Sequence, residues 1–198
     1  MKMKLIESLV RELLNEGDTG RWYPSDTLFT EIGNQLRRTG IASINKTGIP
    51  GFSALMKEIA IMESGQKRDG KIMHDNEQEW PYRGVFQMGA AALETLRGDR
   101  VVPKTKAKWS KNANATKIWE KQTDEDVFGA VDMQTAAACM YCLYLYYEIA
   151  EKPSLSSTED RAAFWKTYYN TSSDLNSTAQ TYIDKIEEYE AKHSLVIN

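Results

Sequence analysis

What is scarce in this 198-residue chain narrows its chemistry before any motif is read. Cysteine occurs twice and histidine twice. Cys139 and Cys142, spaced as "CMYC", have no second pair and no neighbouring histidine to complete a zinc site. They lie inside an apolar helical run, without the preceding strand and helix N-terminus that a redox CxxC needs, so both are expected to be buried, reduced core thiols. His74 stands among loop acids and His193 near the C-terminus, and neither a glycine-rich phosphate loop nor a strained serine elbow occurs. No metal and no cofactor is assigned.

Charge of one sign is not in excess either. The 25 basic and 28 acidic residues leave a net charge of −3, which gives no global pull toward nucleic acid or an anionic membrane. The longest strongly apolar stretch, residues 135–147, is too short to span a bilayer and contains tyrosines. The opening "MKMKLIESLVRELLNEG" is interrupted by Glu7, Arg11 and Glu12, unlike a signal peptide. Its Leu5, Ile6, Leu9, Val10, Leu13 and Leu14 instead follow helical spacing. Neither a secretion signal nor membrane insertion is expected.

Strand-like alternation is missing as well; helical periodicity dominates. A helix is predicted over residues 25–38, with Leu28, Phe29, Ile32 and Leu36 on one face and Gly40 ending it. A second runs from Phe52 to Glu63. Residues 65–83 are polar and irregular, with room for one short hairpin. "GVFQMGAAALETLRG" reads as a turn entering a short helix that ends near Gly98. Thr123 and Asp126 resemble a capping-box start, after which the chain is apolar on nearly all faces, as a buried central helix should be. Ser156 and Glu159 have capping-box spacing before a helix that ends at Asn170. A last helix, opened by Ser177 and Gln180, carries Ala179, Tyr182, Ile183, Ile186 and Tyr189 on one stripe. The expectation is one mainly α domain over residues 1–198, with at most a small β-hairpin.

Glu63 stands out within "ALMKEIAIMESGQ". It follows Ile59 by four residues, so it projects from the side of the apolar stripe Leu55, Ile59 and Met62. Desolvation there raises a carboxyl pKa, and the negative end of the helix dipole pushes the same way. A glutamate protonated near neutrality can act as a general acid on a glycosidic oxygen. A boundary glutamate can also simply reach solvent or pair with Lys67 or Arg68.

Three further segments accompany it: "RGVFQMG" with Gln87, the central helix, and "YYN" at Tyr168, Tyr169 and Asn170. With "MESG", "GVFQM", "GAVDMQTAAACMYCLYLYY" and "YYNTS" in this order, the chain resembles the lysozyme-like lytic transglycosylases and goose-type lysozymes. The resemblance begins near Phe52, implying a lysozyme-like catalytic region over residues 51–192 and N-terminal helices of unassigned role over 1–50. Ser172 stands where the family has glycine, and no serine lies between Ser64 and Gly84, where bacterial transglycosylases often carry one.

Carried over residue by residue, the resemblance implies Glu63, followed by Ser64, as the acid and then base that cleaves between N-acetylmuramic acid and N-acetylglucosamine. Gln87 would line the sugar cleft, and Tyr169 with Asn170 would support the carboxylate, Tyr168 being the alternative one register away. A lytic transglycosylase needs only this carboxylate, because the sugar's own 6-hydroxyl attacks. An inverting muramidase needs a second one, for which Asp69, Asp75, Glu77 and Glu79 are the candidates. The expected partner is the peptidoglycan glycan strand, met by a monomer. A bacteriophage endolysin or virion component, made in the host cytoplasm, fits the lack of a leader. Lys104, Lys106, Lys108, Lys111, Lys117 and Lys121, with Trp109 and Trp119, form either a solvated surface loop or a basic rim toward the anionic wall. A non-catalytic wall-binding or structural module is the alternative of another class.

Overall fold

The computed structural model describes residues 21–38, 48–64, 71–74, 82–97, 118, 127, 131–193 and 197. The amphipathic segment before residue 17, the capping box at Thr123 and the lysine-rich connection lie outside these described residues. What is described is mainly helical. In chain order it comprises β1 (Arg21–Pro24), α1 (Ser25–Arg38), α2 (Phe52–Ser64), β2 (Lys71–His74), β3 (Tyr82–Arg83), β4 (Met88–Gly89) and α3 (Ala90–Arg97). Then follow α4 (Val131–Tyr144), α5 (Thr158–Phe164) and α6 (Ala179–His193). Among them no helix is long and apolar enough to cross a membrane.

Helix α1 buries Leu28, Ile32 and Leu36, spaced by four, as its periodicity predicts, while Phe29, expected on the same face, is only partly buried at its margin. Helix α2 departs from a single stripe. Phe52, Ala54, Leu55, Met56, Glu58, Ile59, Ala60 and Ile61 are all buried, while Met62 is only partly so. The reason is that α1, α4 and α6 all pack against it. Gly51 starts it with φ +77°, and a Cβ there would stand 1.8 Å from the Leu155 carbonyl oxygen. Only glycine permits that close approach of the α2 entry to the strand of chain before α5.

Helix α4 is buried without interruption from Met133 to Met140, and again at Cys142 and Leu143. Its small residues let α1, α2 and α3 pack against it. Cys139 and Cys142 are free and buried. Burial pushes both thiols well above their ordinary pKa, so neither offers a reactive thiolate.

Two helices end in wider, π-type turns: Leu145–Ile149 continues α4, and Trp165–Tyr169 continues α5. The α5 start is capped by Ser157, whose hydroxyl accepts from the Asp160 N–H at 3.2 Å. The cap expected at Ser156 therefore lies one residue too early. Ser156 is engaged instead in a preceding turn, donating its N–H to Ser154 Oγ. Similarly α6 is opened by Thr178, which accepts from the Thr181 N–H, and Ser177 belongs to the turn before it, its N–H bonded to the Asp174 carbonyl. Tyr182, Ile186 and Tyr189 form the buried face of α6, with Ala179 and Ile183 at its margin.

The expectation of at most one hairpin, within residues 65–83, is corrected. Strand β1 pairs antiparallel with β2, Trp22 opposite Met73, and β3 pairs with β4 as a separate hairpin, Arg83 opposite Met88. Strands of two and four residues are too short to show period-2 alternation, and β1 finds its partner some fifty residues away.

At the centre, Arg161 of α5 forks onto Glu58 of α2. Its Nε and Nη2 donate to Oε2 and Oε1 at 2.7 and 2.6 Å, and Tyr182 of α6 donates its hydroxyl to Glu58 Oε2 at 2.8 Å. Burial pushes the Glu58 carboxyl up, and the guanidinium and phenol hold it back. Arg161→Leu strands this carboxylate, and should lower the unfolding free energy by about 3–5 kcal/mol. Urea denaturation checks this; a loss of only a few tenths would refute the pair's structural role.

Candidate functional site

A cavity of about 560 Å³ opens where four segments meet, lined by Glu63, Gln87, Tyr169, Asn170, Thr171, Ser172 and Ser173. Glu63 comes from the last turn of α2, Gln87 from the β3–β4 turn, and Tyr169 from the end of the π-type turn after α5. The loop beyond supplies the rest. Sequence positions more than a hundred residues apart thus face one space.

Glu63 is held from behind. Trp165 Nε1 donates to its Oε1 at 2.6 Å. Lys185 of α6 donates to the Met62 carbonyl at 2.8 Å, which brings an ammonium beside the carboxylate. Burial pushes the Glu63 carboxyl from its ordinary 4.5 up to about 7, and the indole and the ammonium oppose that rise. Desolvation outweighs both because a charge buried here loses more hydration than two partners restore. The reciprocal effect is visible at Lys185, whose pKa burial lowers while Glu63 raises it.

The β3–β4 turn is fixed with similar care. Gly84 (φ +78°) opens it and Gln87, with φ +44°, closes it in a left-handed conformation unusual for a side-chain-bearing residue. The Gln87 side-chain amide nitrogen donates back to the Gly84 carbonyl at 2.8 Å, which leaves its oxygen and its second N–H for the cavity. The turn is pinned twice to the rest of the fold. Val85 N–H donates to Gln134 Oε1 of α4 at 3.1 Å, and the Tyr169 hydroxyl donates to the Phe86 carbonyl at 2.5 Å.

That last bond corrects one expected role. Tyr169 lines the cavity, but its hydroxyl hydrogen goes to Phe86, and the carboxylate of Glu63 is supported by Trp165 instead. Tyr168 is not among the cavity residues; its ring packs on Phe164 at 5.4 Å. A turn closed by i→i+5 bonds takes one residue more than an α turn, which favours Tyr169 over Tyr168 for the face that Trp165 presents. Asn170 closes the turn by donating its N–H to the Trp165 carbonyl at 2.7 Å, and its side-chain oxygen accepts from the Ser172 N–H.

Ser64 is the last residue of α2. Asp69, Asp75, Glu77 and Glu79, the candidates for a second carboxylate, lie outside the described residues, as do Lys67 and Arg68. Among the described residues, Glu63 is the one carboxylate lining the cavity.

Trp165, Lys185 and Gln134 were not legible as site residues. A weak trace existed for Trp165, which stands four residues before Tyr169 in "WKTYYN" and so shares its face. Nothing local marks Lys185, because its contact depends on how α6 crosses the end of α2.

The raised pKa of Glu63 has a consequence for stability. Between pH 4.5 and about 7 the folded chain keeps a proton that the unfolded chain has released, so this group's contribution falls as pH rises across that window. Glu63→Gln keeps an acceptor for Trp165 and carries no charge. It should be more stable than the wild type above pH 7, by up to about 3 kcal/mol, with the advantage shrinking as the pH falls toward 4.5. Thermal melts of both proteins across that range check the prediction; a pH-independent difference would contradict it.

Compared with known proteins, the chain matches no family model, no curated protein and no solved structure.

Proposed function

We infer that the protein cleaves the β-1,4 bond between N-acetylmuramic acid and N-acetylglucosamine in peptidoglycan, with Glu63 as general acid and then base. The observation that carries this reading is a glutamate whose pKa is raised to about 7 at the wall of an open cavity. General acids work best when their pKa lies near the working pH. The cavity is of the size that encloses a small ligand, and its hydroxyl and amide lining suits a sugar. The order of motifs resembling lytic transglycosylases adds to this.

In the first step Glu63 gives its proton to the glycosidic oxygen as the bond to the anomeric carbon breaks, and positive charge develops on the muramoyl ring. In the second, the muramoyl 6-hydroxyl attacks that carbon and its proton returns to the Glu63 carboxylate. The product is a 1,6-anhydromuramoyl end, and no second carboxylate is needed. Gln87 and Asn170 face the sugar through their amides. The ring of Tyr169, anchored through its hydroxyl, forms part of the wall. On this reading the protein acts on the wall after release from its cell of synthesis, or from within a virion.

Digestion of purified peptidoglycan by wild type and Glu63→Gln, with mass spectrometry of the released fragments, tests the proposal. The variant should be slower by about 10²-fold or more, and wild-type activity should fall as pH rises through about 7. Anhydro ends are expected. Reducing ends would make the enzyme a muramidase and move attention to Asp69, Asp75, Glu77 and Glu79. Equal activity in both proteins would overturn the role of Glu63. Inactivity of both would leave a wall-binding or structural module.

A further inference from the structure

A protonated glutamate is useful as an acid only if its proton sits on the oxygen that meets the substrate. Glu63 has two oxygens. Oε1 accepts from Trp165 Nε1 at 2.6 Å, and among the described residues Oε2 has no hydrogen-bond partner, while the residue itself borders the cavity. An indole nitrogen donates and never accepts. The carbonyl-type oxygen of a carboxylic acid is much the better acceptor, so a donor aimed at Oε1 leaves the acid hydrogen to Oε2. A hydroxyl in the place of the indole could either give or take a hydrogen bond, and would leave both arrangements open.

We propose that Trp165 is a positioning residue that holds the acid hydrogen of Glu63 on Oε2, the oxygen left for the cavity. The inference rests on the reading of Glu63 as the acid.

The indole is itself tightly placed. Its ring packs on Tyr182 at 5.3 Å between centroids, and the Tyr182 hydroxyl donates to Glu58 Oε2 at 2.8 Å. Glu58 accepts the fork of Arg161. Helix α2 therefore carries two carboxylates, Glu58 and Glu63. The continuous α5 segment carries the two donors that meet them, Arg161 and Trp165, one turn apart. These two cross-links, one buried and one at the cavity edge, fix both the slide and the rotation of α5 against α2. Trp165 is 2% exposed, which leaves its ring no room to swing away. The π-type turn closed by Asn170 N–H on the Trp165 carbonyl anchors the backbone at the same residue.

Among the described residues, the titratable groups that feel Glu63 are Lys185 on α6, Tyr169 at the end of the α5 extension and Cys142 on α4. None of them is altered by Trp165→Phe, which keeps a ring against Tyr182 and removes the N–H.

The test has two parts, of which the first needs no substrate. In the wild type, the indole ¹⁵N–¹H resonance of Trp165 should move with pH at the same midpoint as the Glu63 side-chain carboxyl, read by ¹³C NMR. In Trp165→Phe the Glu63 midpoint should move up by about one unit, tenfold in the acid constant. In the second part, turnover of saturating peptidoglycan is compared near pH 5, where Glu63 is protonated in both proteins. The variant should be several-fold slower there, because its acid hydrogen is no longer confined to one oxygen.

An indole resonance indifferent to the Glu63 titration overturns the proposal even if the variant does not fold. So does a variant with unchanged midpoint and unchanged turnover. If wild type leaves peptidoglycan intact while the indole tracks Glu63, the cleavage reading falls and the placement of the proton stands.

Discussion

The arrangement depends on one buried carboxylate. Glu58 sits in the middle of α2 among apolar neighbours, and its two oxygens take three donors: both arms of Arg161 and the Tyr182 hydroxyl. A charge so placed is tolerated only when nearly all its lost hydration is replaced. That requirement leaves little freedom in how α2, α5 and α6 pack. Arg161 also donates to the Leu155 carbonyl, the same oxygen that Gly51 must approach closely at the start of α2. The polar centre therefore governs the entry of one helix and the crossing of two others.

The cavity inherits that rigidity. Glu63 lies five residues beyond Glu58 on α2, and Trp165 lies four beyond Arg161, so locking the inner pair sets the outer one. On the opposite wall, Gln134 and Tyr169 pin the Gly84–Gln87 turn through its N–H and carbonyl groups. A turn carrying a left-handed Gln87 needs such outside support, since the local backbone preference works against it. Both walls depend on the α5 extension, which sets Trp165 behind Glu63 and Tyr169 against the turn.

Much of the helical framework was legible because its apolar spacing is a local property. The limits of α1 and α2, the burial of most of α4 and the inward face of α6 all follow from the apolar patterning of their side chains. The cap at Ser157 in place of Ser156 shows where spacing alone is insufficient. Both serines have an acidic residue three positions on; it is Ser157 that accepts the Asp160 N–H, while the Ser154 hydroxyl accepts the Ser156 N–H and donates to the Asp160 carboxylate. The β1–β2 pairing was invisible, because a four-residue strand takes its meaning from a distant partner.

By itself the sequence determined that the described segments around α1, α2, α4, α5 and α6 are helical, which faces of α1 and α6 turn inward, and that Glu63, Gln87 and Tyr169–Asn170 stand at the ends of elements beside turns. These are consequences of period, propensity and turn residues, each readable within a dozen positions. Only the tertiary structure decided who meets whom. It gave Glu63 an indole and a nearby ammonium rather than a tyrosine, sent the Tyr169 hydroxyl to Phe86, and turned Tyr168 onto Phe164. The physical reason is that a carboxyl's pKa and its hydrogen-bond partners depend on what packs within a few ångströms. Among helices, that is set by crossing geometry across a hundred residues of chain rather than by the neighbours in sequence.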